Sequence, residues 1–457
     1  MRVLFVVKDF IIEPLGIAYL SACLKDAGHE VSLVRPDVQD AVSYIKTWKP
    51  DVLAYSVVTG EHRYYQELNL ELRKYTSALS IFGGPHCTFF PQFVMQEGVD
   101  YTVAGEGFDA IVEIVDSLSS NVNVLDIANL SWYDSDNLIL HNNPLRPPVD
   151  VSQLPLPDRS IVYGAHKNKN NPIRSIMASW GCLMNCTYCY APNYRDELGY
   201  PVRLRPVDSV MTEILELDSS YGFDLLYFQD DIFPLWEKEW VKEFCTRYGQ
   251  EVHKPLHIQL RVEMVRPWVI PFFQKACVHG VTFAVESGDQ ELRRNILKRN
   301  VSDYKILEGA EMLRAAGFRL RVENVLGFPG DTLETALKTL DLNIACKPDL
   351  AWASLFQPYP GTPLGDESVA LGLFTGDPAD IEDNFFTSLK VSNPERREIE
   401  NLQKLFSLAA YFPFIRKHLP LLVKQPPNAL YSFVYKKWKQ HIYDDRLFNT
   451  NLASKRD

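Results

Sequence analysis

The sequence predicts an α/β protein: a doubly wound parallel sheet first, then a partial barrel of six βα units, then a helical C-terminal region. Three observations carry that prediction. Short apolar runs alternate with helical runs twice over, once before about residue 120 and again from about residue 174. A proline-rich stretch over 143–158, NPLRPPVDVSQLPLPD, separates the two series. From about residue 371 the alternation stops and the pattern turns helical, broken at Pro413, Pro420, Pro426 and Pro427.

In the first series, residues 2–7 (RVLFVV) read as a buried parallel strand, and residues 15–28 as an amphipathic helix ending near Gly28. Further strands are expected near 31–34, 51–57, 80–83 and 100–104, with helices near 38–47, 62–76, 91–97 and 107–118. Leu130–His141 reads as a hairpin turning at Asp134-Ser135-Asp136-Asn137. A doubly wound sheet binds ligands at the carboxyl ends of its strands. In the second series, strands fit 174–180, 224–229, 256–261, 281–286, 319–326 and 350–357, and helices fit 207–220, 237–249, 268–279, 303–316 and 332–346. Six such units predict a partial TIM-like barrel with its chemistry at the C-terminal mouth. The expected regions are therefore 1–145, a linker over 146–172, a barrel over 173–370 and helices over 371–457.

A chain of 457 residues suggests two or three domains, and 46% hydrophobic residues suffice for their cores. A net charge of −11 argues against a nucleic-acid partner. The eight cysteines include one close trio, and the others are scattered. That excludes a disulfide framework and fits a reducing compartment. The opening residues, MRVLFVVKDF, lack the pattern of a signal peptide, and no run of eighteen apolar residues occurs. The expectation is a cytoplasmic protein.

The trio is the most informative stretch: Ser179-Trp180-Gly181-Cys182-Leu183-Met184-Asn185-Cys186-Thr187-Tyr188-Cys189-Tyr190. Three thiolates can hold a cubane iron–sulfur cluster, which normally takes four, and leave one iron open to a substrate. The alternatives are three core cysteines or a zinc knuckle. Zinc sites usually pair CxxC or Cys/His units to reach four ligands, and here no second pair follows and no histidine lies inside the run. The loop follows the first strand of the second series, which puts it at the barrel mouth.

The spacing CxxxCxxC, with an aromatic before the last cysteine, resembles the radical SAM superfamily. Residues 1–145 resemble the cobalamin-binding domains fused to such barrels, with Pro14-Leu15-Gly16-Ile17-Ala18-Tyr19-Leu20, Gly28-His29-Glu30-Val31, Lys49-Pro50-Asp51-Val52, Gly83-Gly84-Pro85-His86 and Val99 to Gly107 in the expected order. The alternative is a nucleotide-binding or flavodoxin-like sheet. The whole resembles a cobalamin-dependent radical SAM enzyme over about residues 1–370. The resemblance implies a Rossmann-like cobalamin-binding domain, a radical SAM barrel, and three cofactors: a 4Fe-4S cluster on Cys182, Cys186 and Cys189, S-adenosylmethionine (SAM) and cobalamin. It also implies methylation of an unactivated carbon. One SAM methylates cob(I)alamin and a second yields a 5′-deoxyadenosyl radical that takes a substrate hydrogen. Cobalamin-assisted cyclisation or ring rearrangement without methyl transfer, and a non-catalytic cobalamin sensor, stay open.

Cobalamin contacts are expected at Pro14, Leu15, Gly16, Ser56, Thr59, Gly60, His62, Gly83, Gly84, His86, Gly105, Glu106 and Gly107. Gly83, Gly84, Gly105 and Gly107 would let backbone approach a bulky ligand, and Ser56 and Thr59 could bond its polar tail. No Asp-x-His occurs in the chain, so the motif that supplies a lower cobalt ligand elsewhere is absent. His62 could ligate cobalt or face solvent at a helix start, and His86 reads as structural or tail-contacting.

SAM contacts are expected at Tyr188, Asp230, Asp231, Arg261, Glu286, Ser287, Gly327 and Gln357. Two adjacent carboxylates cannot share one face of a strand, so one is expected to face the mouth while the other caps a neighbouring segment, and the sequence does not say which; the alternative is that both are caps. Glu286 could accept charge-assisted bonds from the cofactor or pair with Arg261. Lys298 reads as solvated. In the basic, aromatic-rich run from Phe412 to Tyr443, peripheral membrane contact and ordinary packing on the barrel are both open. Expected partners are a small-molecule, lipid or peptide substrate and a reductase or flavodoxin-type electron donor.

Overall fold

The computed structural model describes residues 1–8, 13–36, 40–163, 171–426 and 429–442. Positions 38–39 of one expected helix, residues 164–170 of the expected linker, Pro427 and the tail from Tyr443 onward lie outside the described residues. The chain divides into two compact units. One comprises Met1–Asn171 with Asn193–Arg203, the other Pro172–Pro192 with Leu204–Asp457.

The first unit holds a seven-stranded sheet of β1 (Arg2–Val6), β2 (Glu30–Val34), β3 (Val52–Ser56), β4 (Leu79–Gly83), β5 (Tyr101–Val103), β6 (Leu130–Asp134) and β7 (Ile139–Asn142). Its order is β2-β1-β3-β4-β5-β6-β7. The first five strands are parallel, and the hairpin β6–β7 extends the sheet antiparallel from β5. The hairpin turn forms where expected: Asp134 accepts the backbone N–H of Asp136 and Asn137. The strand order reverses between β1 and β3, and the carboxyl ends there form the crevice where such sheets take ligands. Leu4, Val6, Leu53, Tyr55 and Phe82 fill the core beneath, with Tyr55 stacked on Phe82 at 4.3 Å. The expected helix 91–97 is a short 3-10 turn, Pro91–Met95, preceded by a helix at Pro85–Phe89. The expected linker contains a helix of its own, Arg159–Tyr163, clamped into this unit by a buried ion pair from Arg159 to Glu13 at 2.9 Å.

The second unit holds β8 (Ile173–Ile176), β9 (Leu225–Phe228), β10 (Leu256–Gln259), β11 (Val278–Glu286), β12 (Arg319–Leu326) and β13 (Leu350–Leu355). They pair in strict chain order, all parallel. Helices intervene where the sequence predicts, except that the one expected over 268–279 ends at Lys275. Cys277 turns with φ 54° and β11 starts at Val278. On β12 burial alternates strictly, so Arg321 and Glu323 project from the opposite face to Leu320, Val322 and Asn324.

The C-terminal helices belong to this second unit. Helix Arg396–Tyr411 buries Leu402, Phe406 and Ala409 in one cluster with Leu355 and Phe356, and Gln403 donates to the carbonyl of Ala353. Helix Ala429–Ile442 follows, with the Trp438 indole donating to Ser407 and Lys439 lying over the Trp352 ring. The helix Ala429–Ile442 thus packs in part on the second unit through Trp438 and Lys439. Phe414, Leu421, Leu430 and Phe433 stay exposed. Among the described residues no helix is long and apolar enough to cross a membrane.

Candidate functional site

The three cysteines lie in the loop beyond β8, and all three line one cavity of about 220 Å³ together with Tyr188, Asp231, Arg261, Glu286, Arg299 and Glu323. Thr187 anchors the loop. Its hydroxyl donates to the Ile296 carbonyl at 2.6 Å, and its own carbonyl accepts the Leu364 N–H at 2.9 Å. Tyr190 adds a bond to the Pro360 carbonyl at 2.6 Å. The backbone N–H of Met184 donates to Cys182 Sγ, and that of Ala191 to Cys189 Sγ, each at 3.4 Å. Burial raises both thiols, Cys189 to about 12. A bound metal reverses that preference, because a coordinating thiol gives up its proton. Among the described residues no three His, Cys, Asp or Glu side chains gather as a site for one metal ion. A cluster spreads its thiolates over separate irons, which suits a trio dispersed around one cavity.

The two adjacent carboxylates divide as the strand geometry requires. Asp230, 1% exposed, turns to the protein and accepts the N–H of Ala178 and Ser179 and the Ser179 hydroxyl. Asp231 lines the cavity. Burial lifts Asp230 to about 7 despite these bonds. Between about pH 4 and 7 the folded protein therefore holds a proton that the unfolded chain has released, so this group lowers stability as pH rises through that window. Asp230→Asn is expected to flatten that slope, measured by denaturant unfolding of the cluster-free protein at pH 5 and 7.5.

Glu286 does not pair with Arg261. It accepts the Tyr188 hydroxyl at 2.8 Å and lies 3.8 Å from Arg299 Nη1, while Arg261 donates through Nε to Glu263 at 2.6 Å. Burial raises the Glu286 carboxyl, and the Arg299 cation opposes the rise. Glu286 holds φ 66°, a left-handed conformation that a non-glycine residue adopts at a cost. The Tyr188 ring packs 5.5 Å from Phe328. Ser287, Gly327 and Gln357 do not line the cavity. Ser287 accepts the Asp289 N–H. Gly327 turns at φ 83° with its N–H on Asp331, and an added Cβ would meet Leu389 at 2.5 Å. Gln357 reaches the Ser388 carbonyl at 3.5 Å, and its Oε1 has no hydrogen-bond partner.

Sequence reasoning missed Arg299. It is buried, donates to the Ala284 carbonyl at 2.6 Å and lies 3.5 Å from the Tyr188 hydroxyl. Its neighbour Lys298 is exposed, as expected. Gln259, Thr282 and Glu323 also line the cavity and were missed. Their signal was available: they alternate with apolar residues on strands expected to line a barrel.

In the first unit, the expected contacts fall into two groups. Gly16, Ser56 and Gly60 sit at or beside the β1/β3 crevice. An added Cβ on Gly16 would meet nothing within 4 Å, and Ser56 is exposed. Pro14 precedes the helix Leu15–Asp26, whose first residue, Leu15, is core. His62 is not solvent-facing. It is 8% exposed, takes the Gly60 N–H on Nδ1 and stacks on His86 at 4.1 Å. His86 is 2% exposed and lies 3.1 Å from the Thr59 hydroxyl. Burial, reinforced by His62, drops it to about 3, so it is neutral.

At two of the expected glycines, Gly84 and Gly105, the chain itself fills the space. Gly84 adopts φ 92°, and a Cβ there would lie 2.8 Å from Val57 N and 2.9 Å from Val57 O. Gly83 would tolerate one, with nothing nearer than 3.7 Å. At Gly105 the close neighbour is Tyr200, whose hydroxyl occupies the space a Cβ would need. Glu106 is taken by Arg203 and the Val149 N–H, and Gly107 precedes the helix Phe108–Ser119.

Comparisons with known proteins match both halves. Residues 1–115 match the model of the B12 binding domain, and residues 178–342 that of the Radical SAM superfamily. An uncharacterized methyltransferase, PH0819, from Pyrococcus horikoshii is 26% identical over 371 residues, covering 79% of each chain. An anaerobic magnesium-protoporphyrin IX monomethyl ester cyclase from Cereibacter sphaeroides is 25% identical over 377 residues, covering 78% of this chain and 60% of that one. Among solved structures, the radical S-adenosylmethionine methyltransferase TsrM from Kitasatospora setae shares the fold with a TM-score of 0.68 at 20% identity, over 81% of this chain and 78% of that one.

Proposed function

Since the chain belongs to the cobalamin-dependent radical SAM enzymes, a B12-binding domain joined to a radical SAM domain, we propose that it methylates an unactivated carbon of a small-molecule substrate. The observation that carries the reading is a CxxxCxxC loop whose three thiols line one cavity with Tyr188, Asp231, Arg261 and Glu286. The bound cofactors supply a hydrogen-abstracting radical and a transferable methyl group.

The residues have separate tasks. Cys182, Cys186 and Cys189 hold the cluster. Asp231 and Glu286 offer carboxylates to the amino group or ribose hydroxyls of SAM, and Tyr188 fixes Glu286 in place through their 2.8 Å hydrogen bond. Asp230 ties the ends of β8 and β9 together and so sets the loop that follows. In the first unit, Pro14, Gly16, Ser56 and Gly60 border the corrinoid at the β1/β3 crevice. The His62–His86 stack, Gly83 and Gly84 shape that border from below. A one-electron donor of the reductase or flavodoxin type supplies the reducing equivalent.

The match to a cyclase favours a second reading, radical cyclisation without methyl transfer. The two differ in what becomes of SAM. The protein reconstituted anaerobically with its cluster and with added cobalamin as methyl acceptor, given SAM and a low-potential reductant, is expected to release both S-adenosylhomocysteine and 5′-deoxyadenosine, measured by mass spectrometry. Deoxyadenosine alone would support cyclisation, and neither product would support a cobalamin sensor.

A further inference from the structure

Two buried guanidinium groups converge on one sulfur of the trio. Arg261 Nη1 lies 3.8 Å from Cys186 Sγ and Arg299 Nη1 lies 4.0 Å from it, both as hydrogen-bond donors. Glu263 holds Arg261 through Nε and Nη2, which leaves Nη1 to point at the sulfur. The Ala284 carbonyl holds Arg299 through Nη2, and Arg299 Nε has no hydrogen-bond partner. Burying a cation with an unmatched donor is costly unless an anion compensates. The nearest carboxylate, Glu286, sits 3.8 Å from Arg299, beyond hydrogen-bond length, and spends its closer contact on Tyr188. A thiolate at Cys186 would bring a further negative charge beside both cations.

We propose that Arg261 and Arg299 together raise the reduction potential of the cluster through Cys186. The inference rests on the reading that the three cysteines hold that cluster. Hydrogen bonds to the sulfurs, local charge and burial set the potential of an iron–sulfur centre. Reduction adds one electron from an external reductant and takes up no proton: [4Fe-4S]²⁺ + e⁻ → [4Fe-4S]⁺. The two fixed cations favour the more negative product, and the dry surroundings screen them weakly. Cys182 and Cys189 receive backbone N–H groups, and Cys186 is the sulfur to which both arginines donate.

The test is a potentiometric titration of the reconstituted full chain, followed by electron paramagnetic resonance, with dithionite as reductant and no SAM present. Arg299→Gln and Arg261→Gln are each expected to make reduction at least tenfold less favourable, a midpoint lower by about 59 mV for one electron. The double variant should fall further. Arg299→Lys and Arg261→Lys should recover part of the shift, because the charge remains. If Arg299→Gln fails to hold its cluster, Arg261→Gln, on the more exposed of the two, decides the question. An unchanged midpoint in cluster-bearing variants overturns the proposal. So does an unchanged midpoint with weakened SAM binding, which would assign both arginines to the SAM carboxylate. Wild-type protein without iron would instead overturn the reading beneath it.

Discussion

Replacing Cys182, Cys186 and Cys189 together with alanine is expected to remove iron from the protein and to reduce deoxyadenosine release to background, while corrinoid binding persists. The first half follows from the chemistry of the trio, three thiols that line one cavity. The second half follows from the division of the chain. The three cysteines belong to the second unit, and the residues bordering the β1/β3 crevice belong to the first. The first unit also reclaims Asn193–Arg203, soon after the last cysteine. It does so by contacts of its own: Arg203 pairs with Glu106, and the Tyr200 hydroxyl packs on Gly105. None of these contacts uses a cysteine. Iron analysis, product analysis and the visible spectrum of added hydroxocobalamin measure the three outcomes on one sample.

Gly84→Ala is expected to have the largest effect in the first unit. Gly84 combines φ 92° with ψ −175°, a region that only glycine occupies readily and that costs other residues about 1–3 kcal/mol. The added methyl would also press on the backbone of Val57, which cannot yield as a side chain can. Val57 is bonded on both sides, its N–H to the Gly83 carbonyl at 2.9 Å and its carbonyl to the His86 N–H at 3.0 Å. The combined cost is on the order of 3 kcal/mol or more, a large fraction of a domain's stability. Corrinoid binding should weaken with it, since the same segment carries His86 and its stack on His62. Gly83→Ala, one residue earlier and with open space, should be nearly neutral. Denaturant unfolding of the two variants side by side, with cobalamin titration, checks both statements.

The architecture was readable in the sequence because β1 to β5 of the first sheet and all six strands of the second are parallel and largely buried. Runs such as RVLFVV have no other economical place in a soluble fold, and the helices between them follow from period. The misplaced boundary at Lys275 arises where Cys277 takes a left-handed turn that no glycine or proline announces. The cysteine loop was readable for a different reason: its ligands are contiguous in the chain. The residues around it were less so. Whether Asp230 or Asp231 faces the cavity depends on which strand face looks inward, and the sequence leaves that phase open. Arg299 reaches Cys186 from over a hundred positions away, beside a lysine that only meets solvent. Glycines of the first unit were read as making room for a ligand. At Gly84 and Gly105 the occupant is the protein itself, Val57 in one case and Tyr200 in the other. Likewise His62 was open to a solvent-facing reading because its partner in the stack, His86, sits two elements away.

The central claim is that three thiolates hold a polynuclear iron cluster with one coordination site left for SAM. Metal analysis of the anaerobically purified and reconstituted protein, with the Mössbauer spectrum, tests it most directly. Four irons and four sulfides per chain with a cubane spectrum are expected, together with a change in that spectrum at one iron when SAM is added. One zinc per chain, or a cluster whose irons are all indifferent to SAM, would contradict it.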